Sequence, residues 1–172
     1  MKLILSTPRL TLINCDEAIL RKILEGDSAL AAYLNITVTE KWNEFGTPSF
    51  QFSLDRLKED ATSVQWWTYL IILKTENLLV GDGGYKGPPD DHGVVEIGYE
   101  IGESFRKNGY AREATKALID HAFSKPGVKG IRAHTLAEEN ASNKLLRREG
   151  FEFIEELDDP EDGKIWRWQL NR

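Results

Sequence analysis

Apolar residues recur along this chain with two periods, and the switch between them lays out the elements. "RLTLI", Arg9 to Ile13, alternates polar and apolar as a half-buried strand does; "DEAILRKILEG" then places apolar residues at helical spacing, with Asp16 near the start and Gly26 at the stop. "ALAAYL" reads as a second short helix and "SFQFSLDRLKEDA" as a third, separated by the polar loop "TVTEKWNEFGTP" around Trp42 and Phe45. Strands are predicted next over Trp67–Leu73, Leu78–Gly87 and Val94–Gly102, and the turn segments "KTEN" and "PPDDHG" between them favour an antiparallel meander. A helix over Gly109–Phe123 follows, then a strand "GIRAHTLA", a helix "SNKLLRREG", a strand "FEFIEEL", an acidic turn "DDPEDGK" and a last strand "IWRWQL". The sequence has no internal repeat and no low-complexity tract, and this order predicts a mixed α/β (α+β) fold.

Two glycines carry the first chemical signal. Gly98 interrupts the otherwise strong strand "VVEIGYEIG", and a glycine inside a strand marks a bulge or a place where a ligand or another backbone comes close. Gly109 sits in "RKNGYA" at the mouth of the following helix, where backbone N–H groups lack intrahelical acceptors and the aligned peptide dipoles put partial positive charge. Gly109 admits close backbone approach, Ala111 keeps the first turn free of bulk, and Arg106 and Lys107 add charge. The segment is either an anion seat or an ordinary helix start with solvated cations. Groups freed at a strand bulge could pair with an extended, amide-containing ligand while the helix mouth holds its phosphates. Coenzyme A has that shape, a pantetheine arm with amides followed by a pyrophosphate.

Composition narrows the setting. At 172 residues, 41% hydrophobic and 29% charged, the chain fits one globular domain, residues 1–172, with a real core. No run approaches the roughly 18 apolar residues of a membrane span, and "MKLILSTPRLTLI" meets polar and proline positions too early for a secretory signal. The expectation is a cytoplasmic protein with no membrane partner. A net charge of −6 argues against a general nucleic-acid surface, and makes Arg106 and Lys107 beside a glycine turn more telling. The lone Cys15 can form no internal disulfide and reads as a small buried hydrophobe; His92, His121 and His134 lack the close spacing of a zinc site, so no metal is assigned. "GDGGYKG" lacks the Lys-Ser/Thr ending of a P-loop and reads as a hairpin.

These segments, in this order, resemble the GNAT N-acetyltransferase superfamily. Its acetyl-CoA signature, Arg/Gln-x-x-Gly-x-Gly/Ala, is matched by Arg106, Gly109 and Ala111. "TPRLTL", "EIGYEI" and "ENASNKLLRREGF" look like the RimJ/RimL-type branch, which acetylates protein N-terminal amines and, in other members, small-molecule amines. The resemblance covers nearly the whole chain. It implies a twisted, mixed, mostly antiparallel sheet flanked by helices and splayed between its fourth and fifth strands to admit acetyl-CoA. It also implies that the N–H groups of Lys107, Asn108, Gly109, Tyr110 and Ala111 wrap the pyrophosphate, with Arg106 orienting the turn or pairing with a phosphate oxygen. Tyr99, Glu100 and Ile101 would offer main-chain groups to the pantetheine and the acetyl carbonyl. Asn140 would bond the pantetheine arm beside Ser142, although the family's usual asparagine, counted back from Gly150, falls at Glu139. Trp42 lies in the loop that walls the acceptor slot in this family.

Acetylating an amine requires a base to take the proton of the ammonium and a donor to receive the leaving thiolate, and backbone N–H groups can polarise the thioester carbonyl. Glu96 and Glu100, four apart on the glycine-containing strand, are the candidate bases; Glu96 is favoured by analogy with superfamily members that use a carboxylate early in this strand. The plain reading of either is a solvated or ion-paired group. For the acid, many relatives carry a tyrosine four residues before the motif glycine, where this chain has Leu146. By likeness to the RimL-like branch, Ser142 is the substitute, against its plain reading as a helix N-cap. Three classes follow: an acetyl-CoA-dependent transferase acting on a primary amine, a CoA-binding relative without catalysis, and an interaction module without CoA. Family members often pair, so the resemblance admits a homodimer.

Overall fold

A computed structural model describes residues 2–172. The chain opens with β1 (Ile4–Ser6) and β2 (Leu10–Asn14), followed by α1 (Glu17–Glu25), α2 (Asp27–Leu34) and α3 (Pro48–Glu59). The boundaries have local causes. Asp16 caps α1 by accepting from the Ile19 N–H at 2.9 Å, Gly26 ends it with φ 130°, and Pro48 opens α3 where its missing N–H costs nothing. The meander β3 (Thr68–Leu73), β4 (Leu78–Tyr85) and β5 (Val94–Ile101) comes next. Then α4 (Tyr110–Phe123), β6 (Gly130–Leu136), α5 (Ala141–Arg148), β7 (Glu152–Asp159) and β8 (Gly163–Asn171) complete the fold.

The strands form one mixed sheet in the order β1-β2-β3-β4-β5-β6-β8-β7. Each neighbouring pair is antiparallel except β5 and β6, which run parallel because α4 carries the chain back to the same end. That parallel contact is short, Val94–Glu96 against Gly130–Arg132. Past Glu96, β5 stays with β4 as far as Ile101 while β6 follows β8 alone. The sheet therefore splays between them, the fourth and fifth strands when β2 is counted as the first. On one face α4 buries Ala114, Leu118 and Ile119 against Val95, Ile97 and Ile131. On the other, Ile19 and Leu20 of α1 and Leu54 of α3 pack with Leu70, Ile72 and Leu79.

Two features depart from the sequence reading. β1 was not foreseen; its three residues are too few to show a period. No bulge occurs at Gly98: the β4–β5 register runs unbroken from Tyr85↔Ile97 to Gly81↔Ile101. The free backbone edge comes from the loss of β6 instead. A Cβ at Gly98 would meet only the Lys86 side chain, at 3.8 Å, so its neighbours do not demand a glycine, and its absent side chain leaves the strand face bare between Glu96 and Glu100. The demanding position is Gly84 opposite it, where φ is 142° and a Cβ would lie 2.0 Å from the Trp67 carbonyl oxygen.

Candidate active site

Arg106 to Ala111 carry the chain from the end of β5 into α4. Lys107 and Gly109 both adopt left-handed backbone, φ 65° and 81°, and such a turn ahead of a helix directs N–H groups into a shared concavity. Gly109 caps α4 with no side-chain hydrogen bond. The helical ladder starts with Glu113 N–H donating to the Gly109 carbonyl at 3.1 Å, so the N–H groups ahead of it have no helical acceptor. Asn108 staples the turn, its Nδ2 donating to the carbonyls of Phe105 at 3.0 Å and Arg106 at 3.1 Å. Arg106 orients the same turn: Nε donates to the Ile101 carbonyl and Nη2 to Glu44, each at 2.9 Å. The Ile101 carbonyl is thereby taken by a side chain. On the β1–β2 side of the turn an open cavity of about 580 Å³ is lined by Thr7, Arg9, Gly109, Arg112 and Lys116 and also by the carboxylates of Glu113, Asp120 and Glu149. Arg9 is paired with Glu113, Arg112 with Glu149 and Arg106 with Glu44; what fits a pyrophosphate-bearing ligand is the set of turn N–H groups that lack a helical acceptor. A Cβ on Gly109 would crowd it, 3.2 Å from Arg9 Nη2.

Across the splay stands α5. Its N-cap is Asn140, which accepts from the Asn143 N–H at 3.0 Å. Ser142 lies inside the first turn, so its hydroxyl is not the cap, and the Asn140 oxygen is engaged by the helix. Opposite, the Tyr99 hydroxyl is buried with no hydrogen-bond partner among the described residues. Burial pushes the phenol up to about 12, with Ser142 the one group pulling it back. Tyr99 is therefore a neutral donor near the serine. Leu146, where many relatives have tyrosine, is fully buried in the core. Asn143, also fully buried, locks α5 onto the end of β6 by accepting from the Thr135 hydroxyl and donating to the Glu138 carbonyl. Sequence reasoning passed over Asn143, and its spacing within an amphipathic helix offered no sign of this role.

Glu96 and Glu100 share a face of β5, because the register is unbroken, but their surroundings differ. Glu96 Oε1 is held by Lys86 Nζ at 2.8 Å and His134 Nδ1 at 2.9 Å. Arg167 Nε donates to His134 Nε2 at 3.1 Å, which leaves the imidazole proton on Nδ1, directed at Glu96. Burial acts to raise the Glu96 carboxyl, yet the hydrogen bond and charge of Lys86 and the hydrogen bond of His134 outweigh it and hold the group below its ordinary value. Glu100 is raised, by burial first and by the charge of Glu44, while the backbone N–H groups of Glu44 and Phe45 and the charge of Arg106 act the other way. Directly opposite Glu100 in the ladder stands Asp82, pushed up to about 8 by burial and then by Glu100. The segment around Trp42 closes over this end: Trp42 is buried, its Nε1 donates to Asp27 at 3.0 Å, and Glu44 N–H donates to Glu100 Oε1. Asp82 sits in "GDGGYKG", where the glycines alone drew notice in the sequence. His134 shows no kinship with Glu96 in the sequence, 38 residues away.

The splayed sheet, the unpaired edge of β5 and the glycine turn at α4 define a transferase of the GNAT type. A profile of the acetyltransferase (GNAT) domain matches residues 17–152; the chain belongs to this family and is an acetyltransferase, and enzymes of the family use acetyl-CoA. Among known proteins, it is 28% identical to the uncharacterised N-acetyltransferase YjdG of Bacillus subtilis (strain 168), over 86% of this chain and 89% of the relative. Its fold matches RimL, the ribosomal L7/L12 α-N-protein acetyltransferase, solved in complex with coenzyme A, with a TM-score of 0.69, 18% identity and 98% of each chain covered. The ribosomal-protein-S5-alanine acetyltransferase of Vibrio fischeri superposes with a TM-score of 0.71, 14% identity, and 98% of this chain and 96% of that one covered. These neighbours share the fold of the chain. No helix among the described residues is long and apolar enough to cross a membrane.

Proposed function

We propose that the protein, as a single transferase domain over residues 1–172, moves the acetyl group of acetyl-CoA to a primary amine by direct attack on the thioester. The acceptor is a peptide N-terminus or a small-molecule amine. The observation that carries this reading is the pairing of a glycine-lined anion seat at α4 with the unpartnered edge of β5 a few residues earlier. The N–H groups of Lys107 to Ala111 hold the pyrophosphate, and the free edge of β5 at Tyr99 pairs with the pantetheine amides and polarises the acetyl carbonyl, while the main chain of Glu100 is turned to β4. When bound, acetyl-CoA supplies an activated acyl group on a thiolate leaving group.

Strand alternation supports placing the remaining roles on opposite sides of the splay. Glu100 and Asp82 face the side roofed by the Trp42–Phe45 segment, and Tyr99 faces the side of α4. The amine enters from the first side, and Glu100, raised although it accepts from the backbone N–H groups of Glu44 and Phe45, takes its proton directly or through a water. On the second side Ser142 donates to the departing sulfur, with the neutral Tyr99 hydroxyl behind it. Glu96, held by two partners and lowered, serves as a structural anion that ties β5 to β6. A peptide acceptor is favoured by the ribosomal-protein N-termini named for the neighbours of the same fold.

Gly109→Glu tests the reading, since it puts a strained side chain and a negative charge where the phosphate belongs. Calorimetry is expected to show acetyl-CoA binding to the parent and none to the folded variant; unchanged affinity would remove the central claim. Thiol release with a panel of amines and N-terminal peptides then separates an enzyme from a CoA-binding relative: binding without release to any acceptor assigns the inactive class.

A further inference from the structure

Arg9 stands 99 residues before Asn108 in the sequence, on the turn between β1 and β2, yet its guanidinium reaches the glycine turn. Nη1 donates to the Asn108 carbonyl at 2.8 Å and Nε to Glu113 Oε2 at 2.7 Å, while the group lies over the Tyr110 ring, 4.8 Å from its centroid. Glu113 Oε1 also accepts from the Arg9 backbone N–H at 2.8 Å and the Thr7 hydroxyl at 2.5 Å. The β1–β2 turn is itself firm: Thr7 N–H donates to the Leu10 carbonyl at 2.9 Å and Lys74 Nζ to Ser6 Oγ at 2.8 Å.

We propose that Arg9 is a positioning residue for the phosphate-binding turn, acting through the Asn108 carbonyl and the Glu113 carboxylate; this rests on the acetyl-CoA reading above. The Asn108 carbonyl and the Gly109 N–H belong to one trans peptide and point in opposite directions. An arginine that draws the carbonyl toward β1 and β2 therefore turns the Gly109 N–H the other way, away from β1 and β2. The second contribution is electrostatic. Glu113 occupies the first turn of α4, where its negative charge competes with an anionic ligand for the positive end of the helix. Although burial acts to raise it, the hydroxyl of Thr7 and the N–H groups and charge of Arg9 hold its carboxyl below the ordinary value, so it stays ionised. Arg9 is what neutralises it. The free Nη2 edge remains beside Gly109.

The experiment is calorimetry on the full chain with coenzyme A, and with pantetheine as a probe that lacks phosphates, alongside steady-state kinetics. Arg9→Ala is expected to weaken coenzyme A binding about ten- to hundredfold, the scale of a lost charged hydrogen bond. It should raise KM for acetyl-CoA in parallel, keep kcat at saturation within about twofold, and leave pantetheine binding unchanged. Arg9→Lys should fail to restore binding, because an ammonium cannot span a carboxylate and a carbonyl as a planar fork does. The double variant Arg9→Ala, Glu113→Gln should recover part of the affinity by removing the uncompensated charge. A merely structural clasp predicts the reverse, with the double variant no better than the single one and pantetheine affected equally; that result, or unchanged coenzyme A affinity in folded Arg9→Ala, overturns the inference. If the parent chain itself binds no coenzyme A, the acetyl-CoA reading falls first and this one with it.

Discussion

The two ends of β5 carry the same side chain in opposite states. At the paired end, where β6 still runs alongside, Glu96 is surrounded by side chains from three other strands or their edges: Lys86, His134 and, behind the imidazole, Arg167. At the splayed end β6 has departed, and Glu100 meets the backbone of the Glu44 loop and a second carboxylate, Asp82. A carboxylate held by cations is a weak base, because the charges that stabilise its ionised form oppose its taking a proton. One raised by burial beside another carboxylate is a stronger one. Where the sheet splays, the strand whose side chain helps to hold Glu96 is gone, and Glu100 keeps its raised carboxyl.

The largest expected effect is Glu100→Gln. It keeps size and most hydrogen bonding while removing the proton acceptor, so kcat/KM at neutral pH should fall by about 10² or more, with partial rescue as rising pH delivers the amine already neutral. Calorimetric affinity for acetyl-CoA should not change. If Glu100→Gln keeps the parent pH–rate profile while Glu96→Gln loses it, the two roles are exchanged; if neither changes, the base is water or another group.

Ser142→Ala probes the far side of the same gap and should lower turnover by roughly 10²-fold or less, since water can partly replace a hydroxyl. Normal turnover in this variant would leave the Tyr99 hydroxyl as the remaining candidate donor.

The pH dependence of stability should separate the two ends by sign. Asp82 has a folded value of about 8, far above an unfolded aspartate, so the folded state keeps a proton that the unfolded chain releases. Stability from this group is present at low pH and is lost as pH rises from about 4 to about 8. Asp82→Asn should remove that loss, and thermal melts of the variant should gain on the parent at pH 9 relative to pH 5. Glu96 is lowered, so its contribution is present above the ordinary glutamate range and is lost as pH falls through the folded value. Glu96→Gln should therefore flatten the acid side of the melting curve. This is the smallest effect, about 1 kcal/mol or less for a partly exposed pair, and turnover should change little. An equal slope at both ends would mean that the neighbours of Glu96 and Glu100 do not distinguish them.

Much of the molecule follows from local rules that the sequence displays. The helix stop at Gly26, the meander between Trp67 and Gly102, and the charged glycine turn before Tyr110 are decided by residues within a few positions of each other. Propensity and unsatisfied helix N–H groups act at that range, and so the proposed anion seat could be read from "RKNGYA". The even spacing of Glu96 and Glu100 placed both carboxylates on one face as soon as the strand was recognised.

What the sequence left open is how far β6 follows β5, and nearly everything at the site depends on that. Pairing with β5 ends at Glu96, whereas β6 stays with β8 along its whole length; no property of "VVEIGYEI" announces it. The same separation in sequence hides Lys86 and His134 from Glu96, Asp82 from Glu100, and Arg9 from Asn108. Electrostatic character is set by neighbours within a few ångströms, whatever their position in the chain. The sequence determined which residues could bear charge and which turn could receive phosphate, whereas the tertiary structure decided which carboxylate is neutralised, which is raised, and which distant arginine reaches the turn.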